Sequence, residues 1–424
     1  MIDYKNKYSK YKNKYLELKK QNTINITGGG SLSCHQGGSE KSTISSTNIH
    51  ICSYNILTQI FVQNQQFNKK YTEEEIIEYK STDYRMNLIK QHLNKEIKKN
   101  SIICLQEVPL KWINSESVDI TNLDENFLLI NNLEIFFLNN NYHFVSNNYS
   151  NKYTGNMGVV IAFPRNIYKM VNKLEIVPIN YVKPLNVNND LSIDLIDDFT
   201  EKTNEEIEIM SQKEKSIYNI KLSNYQTWKS LRTGKNIMII LQLTDISTGI
   251  KFCVGTYHTP CNFKNQKFMQ IANVLAAQSI QIFANGIPYI FAGDLNSQPD
   301  TPSYNILVGN KIKPNEKPEK ETVRDDWEPI MTPPLLSAYF IKNKKEPRAT
   351  NDGHQISQNS DGTYRDSGRF SGTLDYIFLS DDRFKVIDVK QLDNIFTEAS
   401  GPYPSKEEPS DHVLISANLL LRSS

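Results

Sequence analysis

The stretch Phe291–Pro299, FAGDLNSQP, decides how the rest of the chain is read. It continues an apolar run from Ile287 to Ala292 with the character of a buried strand, breaks at Gly293 into Asp294 and Asn296, and turns at Pro299. A carboxylate and an amide therefore stand where a strand ends, where a sheet can fix polar groups rigidly and leave them open to a substrate. Gly, Asp and Asn also favour turns for conformational reasons alone, so the stretch by itself fits an ordinary strand-to-turn junction equally well.

Working outward, the same pattern repeats. From Ile49, IHICSYNIL alternates and carries Asn55 at its end; SIICLQEV carries Glu107; GTLDYIFLS carries Asp375; PSDHVL places Asp411 and His412 just ahead of an apolar run. Further strand-like runs lie at Gly158–Phe163, Asn236–Leu243, Lys251–Thr256 and Val413–Leu421, with helical spacing at Ser81–Lys98 and Lys267–Phe283. Mixed strands and helices without an internal repeat predict one α/β domain over 49–424, a two-sheet sandwich with helices on its outer faces. Two polar, charged segments, 186–215 and 309–329, are expected to be surface insertions, either of which could act as a lid.

The rest of the chain bounds the function. Its 424 residues include 48 basic and 47 acidic side chains, so a net charge of +1 supplies no global field for nucleic acid or an anionic membrane, although a local basic groove remains open. Cys34, Cys52, Cys104, Cys253 and Cys261 show no paired metal spacing and are expected to be reduced thiols in a cytoplasmic, unsecreted protein without a membrane span. Residues 1–21 place Tyr4, Tyr8, Tyr11, Tyr15 and Leu18 at alternating four- and three-residue steps among lysines, an amphipathic helix that is either solvated or docked on a protein partner. Residues 22–48 are rich in Gly, Ser and Thr and are expected to form a flexible linker.

Asn55, Glu107, Asp294, Asn296, Asp375, Asp411 and His412, all at or beside strand ends, are of types that bind hard cations and relay protons. A carboxylate with an amide suits Mg²⁺, which keeps several waters and takes few protein carboxylates, and the lack of Cys/His clusters argues against zinc. An Asp paired with His412 would hold the imidazole in one tautomer, as is needed to orient or activate a water.

The motifs SYNIL, LQEV, GDLNSQP, GTLDYIFLS and PSDH, in this order and spacing, resemble the endonuclease/exonuclease/phosphatase superfamily, which has a deoxyribonuclease-I-like fold. The likeness is greatest to the branch of carbon-catabolite-repressor deadenylases, nocturnin and angel proteins, through the Tyr84–Arg85 pair and the EPxxTN-like segment Glu346–Asn351. The resemblance implies that Glu107 is the principal Mg²⁺ carboxylate (Mn²⁺ substituting), with Asn55 assisting and Asp411 near the metal. It implies that Asp294 and Asn296 position the attacking water and contact phosphate, that Asp375 and His412 form the Asp–His couple, and that His258, Asn236, Arg348 and Asn351 meet the substrate. Two positions depart from the branch: Ala349 stands where its deadenylases carry an aromatic that can stack on adenine, and His258 is followed by Thr259–Pro260–Cys261 rather than WDP. The implied activity is a Mg²⁺-dependent, 3′-end-directed ribonuclease acting on single-stranded RNA, without an implied poly(A) preference. The alternatives are a hydrolase for a small phosphorylated molecule (a nucleotide, inositol phosphate or phospholipid headgroup) and a non-catalytic binding scaffold. The leader also resembles the Tyr/Lys-rich leaders of many giant-virus proteins, which would place the protein in a host cytoplasm or a virion.

Overall fold

The computed structural model describes residues 45–113, 132–151, 155–180, 199–309, 333–358, 364–392 and 401–423. The expected leader helix over 1–21, nearly all of the expected linker and nearly all of the 309–329 insertion lie outside the described residues.

The strands are β1 (Ser46–Asn55), β2 (Ile102–Pro109), β3 (Tyr142–Asn151), β4 (Gly155–Pro164), β5 (Tyr168–Ile176), β6 (Met238–Asp245), β7 (Lys251–His258), β8 (Tyr289–Asp294), β9 (Leu336–Ser337), β10 (Asn351–Gln358), β11 (Tyr364–Gly372), β12 (Asp375–Leu379), β13 (Phe384–Val389) and β14 (Ile415–Arg422). They form two six-stranded sheets, ordered β13-β14-β1-β2-β4-β3 and β5-β6-β7-β8-β12-β9, and a separate β10-β11 hairpin. The α/β sandwich expected from the strand and helix pattern is thus the observed architecture.

Each sheet contains one parallel pair, β1 with β2 and β7 with β8, and parallel neighbours need a crossover. Helices α1 (Thr82–Ile97) and α3 (Gln266–Ala284) supply them, and a third long helix, α2 (Gln212–Thr233), precedes β6. Ser81 caps α1 by accepting from the Tyr84 N–H, and Asn265 caps α3 by accepting from Phe268 N–H. Met86, Ile89 and Leu93 on one face of α1 are fully buried, each contributing about 1.5–3 kcal/mol. They meet Cys52, Tyr54, Ile103 and Leu105 on the outer face of the first sheet, while Ile49, Ile51, Ile102 and Cys104, the alternate residues, face Val254, Ile290 and Ala292 of the second. Burial on both faces explains why β2 and β8 read as continuous apolar runs, whereas β1, exposed at Ser46 and Asn48, alternates.

One boundary differs from expectation. β1 starts at Ser46, inside the segment expected to be linker, because Ser46–Asn48 pair with Leu420–Arg422 of β14 and their backbone groups are satisfied there despite polar side chains. The described part of the 186–215 segment is largely helical: a short helix at Asn204–Glu208 and the start of α2, each opened by a capping box, Thr203 with Glu206 and Ser211 with Glu214. The T-x-x-E and S-x-x-E spacing was the available signal, masked by the acidic composition.

Candidate active site

The parallel pairs end at the same edge of the sandwich, and this gathers the polar strand-end residues. In the second sheet the ladder itself aligns them: His258 is registered opposite Asp294, and Asp294 opposite Asp375, so three residues from β7, β8 and β12 form one row. Gly293 makes the row possible. At φ +154° it lets β7 approach so closely that a Cβ would overlap the Tyr257 carbonyl oxygen.

In the first sheet the corresponding end is irregular. The β2–β4 pairing shifts register between Leu105 and Val108, and Glu107, inside this bulge, has φ +54°. The segment after β1 turns at Leu57, φ +53°, and brings the Thr58 N–H to Glu107 Oε2 at 3.0 Å. Arg85 holds this turn. Its fully buried guanidinium donates to the carbonyls of Ile56 (2.6 Å), Leu57 (2.5 Å) and Pro409 (2.8 Å) and to Gln59 Oε1 (2.7 Å), tying the end of β1 to the strap that carries Asp411 and His412.

The two ends meet through side chains. Asn55 Nδ2 donates to Glu107 Oε1 and to Asp294 Oδ2, both at 3.0 Å, bridging the sheets. His258 Nε2 lies 3.8 Å from Glu107 Oε1 and 3.7 Å from Asp294 Oδ2, and His412 Nε2 lies 3.6 Å from Asp294 Oδ2 on the other side. His412 Nδ1 and Asp375 Oδ2 are hydrogen bonded at 2.7 Å, the couple expected from sequence, and Thr350 Oγ1 donates to the same carboxylate oxygen at 2.6 Å. Asp411 Oδ2 accepts from Gln65 Nε2 at 2.9 Å, while Asp411 Oδ1 is buried without a hydrogen-bond partner.

Charge and burial act strongly here. Burial, reinforced by Glu107 and Asp294 and opposed by His412, pushes the Asp411 carboxyl up to about 6. Burial also raises Asp375, against the pull of His412. For His412, burial alone would lower the pKa, but Asp375, Asp294 and Asp411 overcome it and hold the imidazole well above its ordinary value. Asp294, Asp375 and His412 are close enough for a cation by distance alone. A protonated imidazole is a donor, however, and His412 is committed to Asp375, so the three form a hydrogen-bonded Asp375–His412 couple beside the Asp294 carboxylate rather than a metal cage. Glu107 and Asp411, carboxylates beside Asn55 with the buried Asp411 Oδ1 left without a hydrogen-bond partner, fit a hard divalent cation in their donor chemistry.

The remaining expected residues have distinct places. Asn296, φ +48°, donates through Nδ2 to the Thr259 carbonyl at 2.8 Å, while its N–H reaches Asp294 Oδ1 at 2.9 Å, which fixes the Asp294 carboxylate. Asn236 donates to the His258 carbonyl at 2.8 Å, so its amide nitrogen steadies His258. Asn351 is buried and bridged to His412. Arg348 is exposed, outside the buried cluster, and Ala349 is fully buried. Sequence inspection overlooked Tyr149, whose hydroxyl lies 2.7 Å from His258 Nδ1. Burial, with Glu107 nearby, keeps this phenol protonated, so it can donate to Nδ1 and leave the imidazole proton on Nε2, facing Glu107 and Asp294. Nothing in the NYS context of β3 signals such a role.

The model of the Endonuclease/Exonuclease/phosphatase family matches residues 52–412. Among curated proteins the chain is similar to carbon catabolite repressor protein 4 homolog 4 of Arabidopsis thaliana, 32% identical over 135 residues, 31% of this chain and 27% of that protein. It is also similar to 2′,5′-phosphodiesterase 12 of Mus musculus, 28% identical over 196 residues, 43% of this chain and 28% of that protein. The matched stretches thus span under a third of these relatives' length. Among solved structures, ANGEL2, described as a 2′,3′-cyclic phosphatase, superposes with a TM-score of 0.55 at 15% identity, covering 89% of this chain and 96% of that one. The human Nocturnin catalytic domain with bound sulfate gives 0.50 at 16% identity, covering 91% and 100%. At these identities the structural likeness concerns the fold.

Proposed function

We propose, from the premise that this chain belongs to the Endonuclease/Exonuclease/phosphatase family, that it hydrolyses phosphodiesters with the help of Mg²⁺ and that its substrate is single-stranded RNA shortened from the 3′ end. The observation that carries this reading is the convergence of Asn55, Glu107, His258, Asp294 and the Asp375–His412 couple at one edge of the sandwich, bridged by Asn55.

Glu107, assisted by Asn55 and Asp411, would hold the cation, which when bound supplies Lewis-acid polarisation of the phosphoryl group. The protein's own groups do the rest. Asp294, fixed by the Asn296 N–H, accepts a hydrogen bond from the attacking water and takes its proton as the water oxygen closes on phosphorus and the P–O bond to the leaving ribose oxygen breaks, the departing oxygen taking a proton from solvent. His412, oriented and kept protonated by Asp375, and His258, oriented by Tyr149, present Nε2–H to the phosphoryl oxygens, where negative charge builds during in-line attack. Burial of Asn55, Glu107, His258, Asp294, Asp375 and His412 strengthens these interactions over their worth in water.

The test uses 5′-labelled oligoribonucleotides with and without an A-tail, a 2′,5′-linked oligoadenylate and a 2′,3′-cyclic-phosphate-ended oligomer, with Mg²⁺ or EDTA. A 3′-shortening ladder on the single-stranded RNA is expected, lost in EDTA and reduced at least ~10³-fold in Asp294→Ala. A second reading, hydrolysis of a small phosphorylated molecule, is favoured by the burial of Ala349, which removes any ring from the position where the resembling branch stacks adenine. Release of phosphate from glycerol phosphate or inositol phosphate with no cleavage of any oligonucleotide selects it over the first.

A further inference from the structure

Two phenylalanines, on the segments that lead from His258 and into Asp375, stand outside the three apolar cores. Phe263, in the loop after β7, is 44% exposed, and Phe370 of β11 is half-buried. Their rings are stacked, with centroids 6.2 Å apart and planes inclined by 26°. Phe263 follows His258 by five positions and Phe370 precedes Asp375 by five, so each lies within about 17 Å of its catalytic neighbour even on a fully extended chain.

Both approaches are anchored to the site. The Thr259 N–H donates to the Asp294 carbonyl at 2.9 Å, and the Asn265 side chain ties the far end of the loop to Thr227 of α2 at 2.8 Å. On the other side the Gly372 carbonyl accepts from the Thr350 N–H at 3.0 Å, and the Phe370 ring lies over Gly372, where a Cβ would meet Phe370 Cζ at 2.8 Å and Gln298 Oε1 at 3.2 Å. Glycine at 372 therefore lets the ring lie flat beside Gln298, four residues beyond Asp294. A partly open aromatic pair, held by the arms that carry His258 and Asp375 and flanked by the exposed Lys264, combines a stacking face with a cation, as single-stranded nucleic-acid sites do.

We propose that Phe263 and Phe370 form a stacking platform for a nucleobase next to the scissile phosphate, so that the substrate is a base-bearing phosphoester rather than a sugar or inositol phosphate. The inference rests on the phosphodiesterase reading for its substrate and on the aromatic pair for its specificity. The platform supplies from two other segments the ring that buried Ala349 cannot.

Binding and cleavage are measured separately. A short oligoribonucleotide carrying 2-aminopurine near its 3′ end is titrated into the Asp294→Asn protein with Mg²⁺. Stacking quenches the probe, and the quench is expected to be lost in Phe263→Ala/Asp294→Asn and restored in Phe263→Trp/Asp294→Asn, with Phe370→Leu/Asp294→Asn weakening it. In the Asp294-intact background, Phe263→Ala is expected to raise KM for the oligoribonucleotide about tenfold. Unchanged melting temperature in Phe263→Ala excludes misfolding as the cause. Absence of quenching, or a quench and KM indifferent to Phe263, overturns the platform while leaving any observed cleavage, and the phosphodiesterase reading, intact. A Phe263-dependent quench with no cleavage of any phosphoester by the wild-type protein supports the platform and overturns the phosphodiesterase reading.

Discussion

The two parallel strand pairs offer the same topological unit, yet they build their halves of the site differently. At the β7–β8 end the ladder does the positioning: His258, Asp294 and Asp375 fall in one row because the register puts them there, and one glycine admits the close approach. At the β1–β2 end no ladder presents Glu107. A bulge and two non-glycine residues of positive φ, Leu57 and Glu107, turn it inward, and Arg85 of α1 holds that turn against the 401–412 strap. A carboxylate on a regular strand needs only its register, whereas one on strained backbone needs neighbours that over-determine it.

This contrast can be broken at its props. The largest effect is expected from Arg85→Ala, which leaves three buried carbonyls and the half-buried Gln59 Oε1 without their donor: about 3–5 kcal/mol of stability and essentially all phosphoester cleavage should be lost, measured by denaturant unfolding and by turnover. Arg85→Lys should recover little of either, because an ammonium cannot span the fork of acceptors. Next comes Gly293→Ala, whose methyl group must force β7 and β8 apart; a loss of about 3 kcal/mol is expected, with cleavage falling further than stability because the row of three residues is displaced. Equal tolerance of both changes would erase the distinction between the two ends.

A third prediction sharpens it through pH. Glu408, in the strap of the β1–β2 end, is hydrogen bonded by Tyr54, yet burial raises its carboxyl from the ordinary 4.5 to about 7. An acid whose pKa rises on folding stabilises the fold in its protonated form. Its contribution is therefore complete below pH 4.5 and is lost as pH climbs through about 7, a swing of at most about 3 kcal/mol. Melting temperature should fall over that window in the wild type, and Glu408→Gln should flatten the fall, with no matching change for substitutions in β7 or β8. The smallest expected effect is that of Tyr149→Phe, which removes one hydrogen bond to His258: about 1 kcal/mol in stability and a several-fold loss in turnover, visible in kcat more than in KM.

Legibility from sequence followed burial. The strands recognised in advance, β1, β2, β4, β6, β7, β8, β12 and β14, are the interior strands of both sheets. Those overlooked are the edges, β3, β13, β5 and β9, and the β10–β11 hairpin. An interior strand is buried on both faces and shows a compact apolar run, while an edge such as β5, NKLEI at its end, alternates little and carries charge. The polar groups that converge were visible because each followed an apolar run. Tyr149 and Gln65 were not, because their partners, His258 and Asp411, are 109 and 346 positions away.

What the sequence by itself determined was the inventory and the strand ends: FAGDLNSQP, SYNIL, LQEV, GTLDYIFLS and PSDH each fix a polar residue to the terminus of a buried strand, since apolar length and a breaking Gly or Pro are local properties. The tertiary structure alone decided which oxygen faces which nitrogen. The Asn55 bridge from Glu107 to Asp294, the Arg85 tie to Pro409 and the pairing of Phe263 with Phe370 each join segments far apart in the chain, and such contacts exist only once two sheets have closed on a common core.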